Sequence, residues 1–273
     1  METRTRSGLE ELEEEEKVNS GIPTLCRSLD KLLGGGIKAG TLTEVVGLSG
    51  VGKTTLCLQL CLNVQIPICL QGIESEAIYI GTNHSLSQVR LTQMATEFVD
   101  RCNKIILKTF TKQPVVTIEK ILSGIHVIKC CSIQELTRII LSLDKYLKTN
   151  DRVRLVVLDG IDFPMFIEPL SFSSRVKVLF NLVQTLQSYM FNYKLAIVIT
   201  NSMTTRFAMK EESEIIEEYF VPYLGESLNY CPNQIIKLTC NPSQRTRKAE
   251  LTKSGVCKLG TARYRIIHSG FRD

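Results

Sequence analysis

The sequence predicts an α/β fold: a mostly parallel central sheet with helices on both faces and antiparallel strands added at its C-terminal edge. Three observations carry this. Short, continuously apolar runs occur at 77–80, 154–159 and 195–200, the pattern of parallel strands covered on both faces. Longer segments between them repeat their apolar residues at helical spacing. The last third changes to strand-like runs at 234–240, 247–253 and 262–268 joined by short loops, which reads as hairpin additions at one edge.

Taken in order, glycines at 34–36 and Gly40 punctuate the approach to a first strand at 41–46, TLTEVV. A glycine-rich turn leads to a helix at 54–62, TTLCLQLCL. A short strand at 77–80 precedes a helix at 87–99, and a strand at 124–130 precedes another. That next helix spans 133–147, with Ile133, Leu136, Ile139, Ile140, Leu143 and Leu147 on one stripe. Ser132 suits its N-cap, with Glu135 as a capping-box partner. A strand at 154–159 ends in Asp159, and a helix at 174–190 connects it to the strand at 195–200.

The turn after the first strand reads GLSGVGKT, a complete G-x-x-x-x-G-K-[ST] phosphate loop between a strand and a helix. Its residues, Gly47, Leu48, Ser49, Gly50, Val51, Gly52, Lys53, Thr54 and the following Thr55, are the candidate nucleotide cradle. Gly47, Gly50 and Gly52 let the backbone wrap a polyphosphate with its N–H groups inward. The positive end of the following helix dipole points at the same charge. Lys53 would reach the β- and γ-phosphates of ATP, and the Thr54 hydroxyl would ligate Mg²⁺. Asp159 ends its strand where ligands of open α/β sheets bind and would hold the same Mg²⁺ through water.

The 273 residues are 44% hydrophobic and 22% charged, which suits one large α/β domain with a sizeable core. No apolar run approaches the ~18–20 residues of a membrane span, and the N-terminus lacks a signal-peptide pattern. A soluble, intracellular protein with no membrane partner is expected. Ten cysteines contain no C-x-x-C, and the three histidines are scattered. Buried free thiols in a reducing compartment are therefore expected, rather than disulfides or a metal site. The net charge of +5 is uneven: seven glutamates against three basic residues give residues 1–19 a charge of −4, which leaves +9 on the rest. The acidic segment reads as a disordered tail, and the basic body is compatible with a polyanionic partner.

Several longer stretches make the chain resemble the eukaryotic RecA-type recombinases. They are LDKLLGGGI at 29–37, Thr43-Glu44 before the phosphate loop, LVVLDGI at 155–161, TNSMTT at 200–205, VPYLGES at 221–227 and GFRD at 270–273. The similarity covers 20–273 and points to a paralogue of the Rad-fifty-one recombinase, most similar to the C paralogue group. The resemblance implies a P-loop NTPase of RecA type, with one ATP-binding core domain at 20–273 behind the acidic tail at 1–19 and the family's helical N-terminal domain absent. It also implies a nuclear role in homologous recombination repair of DNA double-strand breaks, including meiotic recombination. The implied partners are other recombinase paralogues in a hetero-oligomer, the main strand-exchange recombinase and single-stranded DNA, with the chain assisting recombinase loading or stabilisation. The alternative is a nucleotide-bound assembly module with negligible ATP turnover.

The departures from the family pattern bear on turnover. Active relatives end the strand after the phosphate-loop helix in a DTEG-like motif whose glutamate activates water; here Gly81 and Asn83 replace the two acids. An amide orients water but accepts no proton, so turnover should fall by orders of magnitude. Glu44, His84 or a residue of a neighbouring subunit are the conceivable substitutes. Ser202 stands where many relatives place a glutamine that senses the γ-phosphate. Arg90 falls where relatives put an arginine beside the adenine, or is a solvated helix residue.

By the same resemblance, 203–222 occupies the position of the second DNA-binding loop. Arg206 and Lys210 are its only basic residues, and a run of glutamates follows, a poor composition for tracking phosphates. Phe207, Ile215, Ile216 and Tyr219 could instead mark a helix that packs on a partner. The first DNA loop should fall near 164–175, with Arg175 and Lys177 as candidate phosphate contacts. Arg245, Arg247 and Lys248 form the densest basic cluster, either a solvated hairpin tip or a DNA-facing edge.

Overall fold

The computed structural model describes residues 21–83, 86–110, 115–168, 171–210, 213–241 and 246–273. The acidic segment at 1–19, His84 and Arg245 lie outside them, as do the side chains of Phe207, Lys210, Ile215 and Ile216.

In chain order, α1 (Arg27–Leu32) leads to β1 (Leu42–Gly47), the phosphate loop and α2 (Lys53–Asn63). Then come β2 (Glu76–Gly81), α3 (Gln88–Thr109), α4 (Ile118–Ser123), β3 (Ile125–Lys129) and α5 (Ile133–Thr149). β4 (Val153–Asp159), α6 (Phe163–Ile167) and α7 (Phe172–Asn192) lead to a hairpin of β5 (Ala196–Lys210) and β6 (Ser213–Pro222). The chain continues with α8 (Glu226–Asn229), β7 (Gln234–Asn241), β8 (Thr246–Ser254), β9 (Gly260–Ile267) and β10 (Gly270–Arg272).

One sheet orders these strands β10-β9-β8-β7-β1-β5-β4-β2-β3, with β6 paired to β5 off that path. Pairing is parallel from β7 through β1, β5, β4 and β2 to β3. It is antiparallel from β7 through β8 and β9 to β10. The expected parallel sheet with antiparallel strands at the C-terminal edge is thus the observed one.

Period-two alternation divides each central strand between two cores. Tyr79, Leu155, Val157, Ala196 and Val198 face α2, α3 and α4, in a core with Leu56, Leu60, Met94 and Phe98. Ile78, Ile80, Val156, Leu158, Ile197 and Ile199 face α5 and α7, in a core with Leu136, Ile140, Leu182 and Leu186. Burying each such aliphatic side chain contributes about 1.5–3 kcal/mol. α2 is buried along its length after the first turn, which explains why its sequence is apolar all round. α5 begins with Ser132 Oγ accepting from Glu135 N at 3.1 Å, while Glu135 accepts from Cys131 N at 3.0 Å. That is the expected cap, with the return bond one residue earlier.

Four expectations need correction. Residues 203–210 and 213–222 form neither an open loop nor a helix: they extend β5 and return as β6, paired from Met203–Pro222 to Met209–Ile216, with a register shift before Lys210–Ser213. Ile215, Ile216 and Tyr219 sit on a strand, and β-branched and aromatic residues favour that state once a partner strand is present. Arg175 and Lys177 lie in the first turns of α7 rather than in a loop. The helix expected at 87–99 runs on to Thr109, carrying Cys102 and Ile106 on the same buried stripe. All ten cysteines are free as expected, but only five are fully buried.

No helix among the described residues is long and apolar enough to cross a membrane.

Candidate functional site

The phosphate loop leaves β1 at the carboxyl end of the sheet and enters α2 through Gly52, which has φ +110°. A Cβ at Gly52 would stand 2.4 Å from Ile266 Cδ1. A Cβ at Gly47 would stand 2.7 Å from both Leu238 O and Val51 Cγ2. The loop is thus hemmed in from β7, β9 and β10, and only glycine fits at these two points. Tyr264 donates to Val51 O at 2.8 Å and stacks on Phe271 with ring centroids 4.5 Å apart. Phe271 N donates to Gln59 Oε1 at 2.5 Å, which ties β10 to α2. Lys53 Nζ donates to Gly47 O at 2.6 Å and to Leu48 O at 3.1 Å. Burial lowers its pKa, while Asp162 and then Asp159 oppose that shift.

Alternation places Asp159, Tyr79 and Thr200 on the face that carries α2. Thr54 Oγ1 and Tyr79 OH both donate to Asp159 Oδ2 at 2.7 Å. Thr200 Oγ1 donates to Asp159 Oδ1 at 2.7 Å, and Asp159 is 1% exposed. A carboxylate and a threonine hydroxyl brought together from β4 and α2 form an oxygen donor set of the kind that suits a hard cation such as Mg²⁺.

The candidates for water activation separate. Asn83 stands at the end of β2 against the β4 loop: a Cβ on Gly160 would lie 3.2 Å from Asn83 Nδ2. Glu44 shares the β1 face of Leu42, which packs under α5 and α7, away from α2. It is fully buried, and its Oε1 accepts from Asn201 Nδ2 at 2.8 Å. Burial pushes its carboxyl up to about 7. Among the described residues, Glu44 Oε2 and Asn201 Oδ1 have no hydrogen-bond partner. Glu44 is thus tied to Asn201 of β5.

Ser202 lies opposite Gly47 in the β1–β5 ladder, on the nucleotide face with Thr200 and Val198. Burial raises the carboxyl of Asp162, opposed first by Ser202 and also by Lys53. Asp162 is 8% exposed, and its Oδ1 has no hydrogen-bond partner among the described residues. The sequence gives no mark to this acid because it lies in the loop after the strand-ending Asp159, where aspartate is an ordinary turn residue.

Two arginines fall in unexpected roles. Arg90 donates from its two terminal nitrogens to His268 O at 2.9 Å and Ile267 O at 2.7 Å, pinning α3 to the β9–β10 turn. Arg247 donates to Gly50 O at 3.0 Å, so it braces the phosphate loop. Lys248 pairs with Glu250 at 3.8 Å on the same strand. β8 is separated from β5 by β7 and β1, so this basic pair does not join the other candidate DNA contacts.

Arg175 and Arg206 do come together. With Tyr219, Val221 and Tyr223 they line an open cavity of about 630 Å³ between α7 and the β5–β6 hairpin. The Arg175 guanidinium sits 5.7 Å from the Tyr223 ring centroid, and Arg175 Nε has no hydrogen-bond partner among the described residues. Lys177 is exposed and outside this lining. Two guanidinium groups beside two phenol rings offer phosphate contacts and stacking surfaces in one groove.

The Rad51 family profile matches residues 16–273. The chain is 36% identical over 268 residues to DNA repair protein RAD51 homolog 3 of Cricetulus griseus, covering 96% of this chain and 71% of that protein. It is 32% identical over 258 residues to the protein of the same name in Dictyostelium discoideum, covering 93% and 66%. Over 193 residues it is 31% identical to the DNA repair protein XRCC3 homolog of Arabidopsis thaliana, covering 68% and 61%. A phosphate loop braced by the C-terminal strands, a strand-ending acid bonded to its threonine and a profile match across the fold lead to one assignment: the chain belongs to the Rad51 family, as a RAD51 paralogue similar to RAD51 homolog 3.

Proposed function

We propose that the chain binds ATP with Mg²⁺ at 47–55 and acts as a recombinase paralogue in homologous recombination repair of DNA double-strand breaks, meiotic recombination included. Its role is to help load or stabilise the strand-exchange recombinase on single-stranded DNA, as part of a nuclear hetero-oligomer of paralogues. The observation that carries this reading is the 2.7 Å contact between Thr54 and Asp159, which lie 105 residues apart in the chain. Folding has brought this oxygen pair together where the phosphate loop enters α2.

In this reading the loop N–H groups bind the polyphosphate, and Lys53 turns from Gly47 O and Leu48 O to the phosphate oxygens. Thr54 and Asp159 hold Mg²⁺, which neutralises phosphate charge when bound. Arg175 and Arg206 take DNA phosphates, while Tyr219 and Tyr223 offer stacking faces. The relatives' names, DNA repair proteins all, support the pathway.

Titration of the purified chain with a fluorescent ATP analogue, with Mg²⁺ and with excess chelator, tests the nucleotide reading. Metal-dependent saturation that Lys53→Ala abolishes is expected, and normal binding by that variant would remove the assignment. A second reading, a nucleotide-held assembly module without turnover, is favoured by Asn83, whose amide accepts no proton. Steady-state ATP hydrolysis, with and without single-stranded DNA, separates the two.

A further inference from the structure

We propose that Tyr79 is a positioning residue for the metal: its hydroxyl fixes the Asp159 carboxylate in the orientation from which, with Thr54, it holds Mg²⁺. The inference rests on the ATP–Mg²⁺ reading and gives a role to a residue that belongs neither to the phosphate loop nor to β4.

The path of the side chain is the first argument. Tyr79 lies opposite Val157 in the β2–β4 ladder, and Gly81 lies opposite Asp159. Residues 79 and 81 therefore share one face of β2. A Cβ at Gly81 would stand 3.1 Å from Tyr79 Cε1 and 3.8 Å from the tyrosine oxygen. The ring thus leans along the strand across Gly81, and its hydroxyl donates to Asp159 Oδ2 at 2.7 Å. Read in the sequence, Gly81 is a lost acid. In the fold, its bare backbone leaves the room that the phenol uses to reach the neighbouring strand.

The second argument is how the carboxylate is held. Three hydroxyls from three elements meet it, each at 2.7 Å: Tyr79 of β2 and Thr54 of α2 on Oδ2, and Thr200 of β5 on Oδ1. Their tasks differ. Thr54 belongs to the phosphate loop, and its oxygen can face a cation while its proton stays on Oδ2. Thr200 Oγ1 also accepts from Gly160 N at 2.7 Å, so it ties down the turn after β4 as well. Tyr79 is 1% exposed and packed in the core that carries α2, so its hydroxyl cannot turn away to solvent. A donor on a rigidly packed ring gives the carboxylate one orientation before any metal arrives. Outer partners of this kind set how tightly the inner ligands hold a metal.

The test uses the full chain and two readouts. One is the Mg²⁺ concentration that half-saturates binding of the fluorescent ATP analogue; the other is the affinity for that analogue in excess chelator. Tyr79→Phe keeps the ring and removes the hydroxyl. Expected is a rise of about 10-fold in the Mg²⁺ midpoint, the lower end of what a lost outer partner costs, with chelator affinity held within about twofold. Gly81→Ala keeps the hydroxyl but crowds the ring, and should raise the midpoint by less, about threefold. An unchanged midpoint in Tyr79→Phe overturns the proposal, since the hydroxyl would then be a core contact without bearing on the metal. Equal losses with and without Mg²⁺ also overturn it, because they would make Tyr79 a support of the loop. Should Tyr79→Phe fail to fold, Gly81→Ala decides: a raised midpoint at unchanged chelator affinity supports the role, and an unchanged midpoint sinks it. Metal-independent binding by the unmodified chain would instead remove the Mg²⁺ reading on which the proposal stands.

Discussion

The phosphate-loop end of the sheet and the β5–β6 hairpin start from the same rung, Ser202 opposite Gly47, yet they are held by different means. Around the loop, Tyr264 and Phe271 are almost fully buried and stacked, and Gly52 has no room for a methyl group. Along the hairpin, Tyr219 and Phe220 are each nearly half exposed, and among the described residues β6 has β5 as its sole strand partner. A two-stranded ribbon without a covering layer is marginal in water. Binding a compact polyphosphate needs a preformed cradle, whereas tracking a flexible strand tolerates an adaptable one. The same strand, β5, serves both because its first half is central to the sheet and its second half leaves it.

The largest expected effect tests that contrast directly. Phe271→Ala removes a fully buried ring from the loop's brace, and should cost about 3–5 kcal/mol of unfolding free energy. Phe220→Ala, on the hairpin, should stay within roughly 0.5–1 kcal/mol. Urea unfolding of both variants checks this, and equal losses would show that the hairpin is as firmly built as the cradle.

Next in size is Lys53→Ala. It removes a cation that two loop carbonyls now hold and that two buried acids face. Truncating one partner of a buried charge-assisted contact costs about 2–5 kcal/mol, or at least about 30-fold in ATP affinity. Single-stranded DNA binding measured without nucleotide should be unchanged if the two regions are independent. A parallel loss of DNA binding would mean that the shared rung couples them.

How far the sequence revealed these regions follows from how local each signal is. The cradle is written in consecutive residues, 47–54, and the acid that meets it ends an apolar run, so both could be read. The division of β1 between two faces could also be read by alternation, yet Glu44 still drew attention as a base. Its pairing with Asn201 joins residues 157 apart in the chain. Arg247 shows the same limit: the basic cluster reads as a solvated hairpin tip or a DNA-facing edge, whereas the fold turns one of its members toward Gly50 O. The hairpin was missed because its glutamate-rich sequence has no strong turn or alternation signal, and strand pairing supplied what propensity did not.

Glu44 offers a third test, on β1 opposite Ile199 of β5. Its folded pKa is about 7 against an ordinary value of 4.5. Between those values the native state keeps a proton that the unfolded chain has released. Stability from this group is therefore fully present below about pH 4.5 and is lost as pH rises through 7. The loss is at most roughly 3 kcal/mol. Glu44→Gln carries an amide at every pH, so its stability should lack this component of the slope and exceed that of the unmodified chain above pH 7. Urea unfolding across pH 5–8 checks it, and parallel curves for the two proteins would mean that Glu44 is ionised in the fold.

The smallest expected effect concerns the groove. Arg175 and Arg206 line it from α7 and β5, and removing one phosphate-binding cation lowers the dependence of log affinity on log salt by about one. Arg206→Ala should therefore weaken single-stranded DNA binding modestly at low salt and flatten that slope by about one. Arg247→Ala, whose guanidinium is committed to Gly50 O, should leave the slope unchanged and alter ATP affinity instead. The opposite assignment, with Arg247 setting the salt slope and Arg206 silent, would move DNA to the β8 edge. It would also leave the β5–β6 groove free for a protein partner, because its two tyrosines and its arginine–ring contact would then have no nucleic acid to stack on.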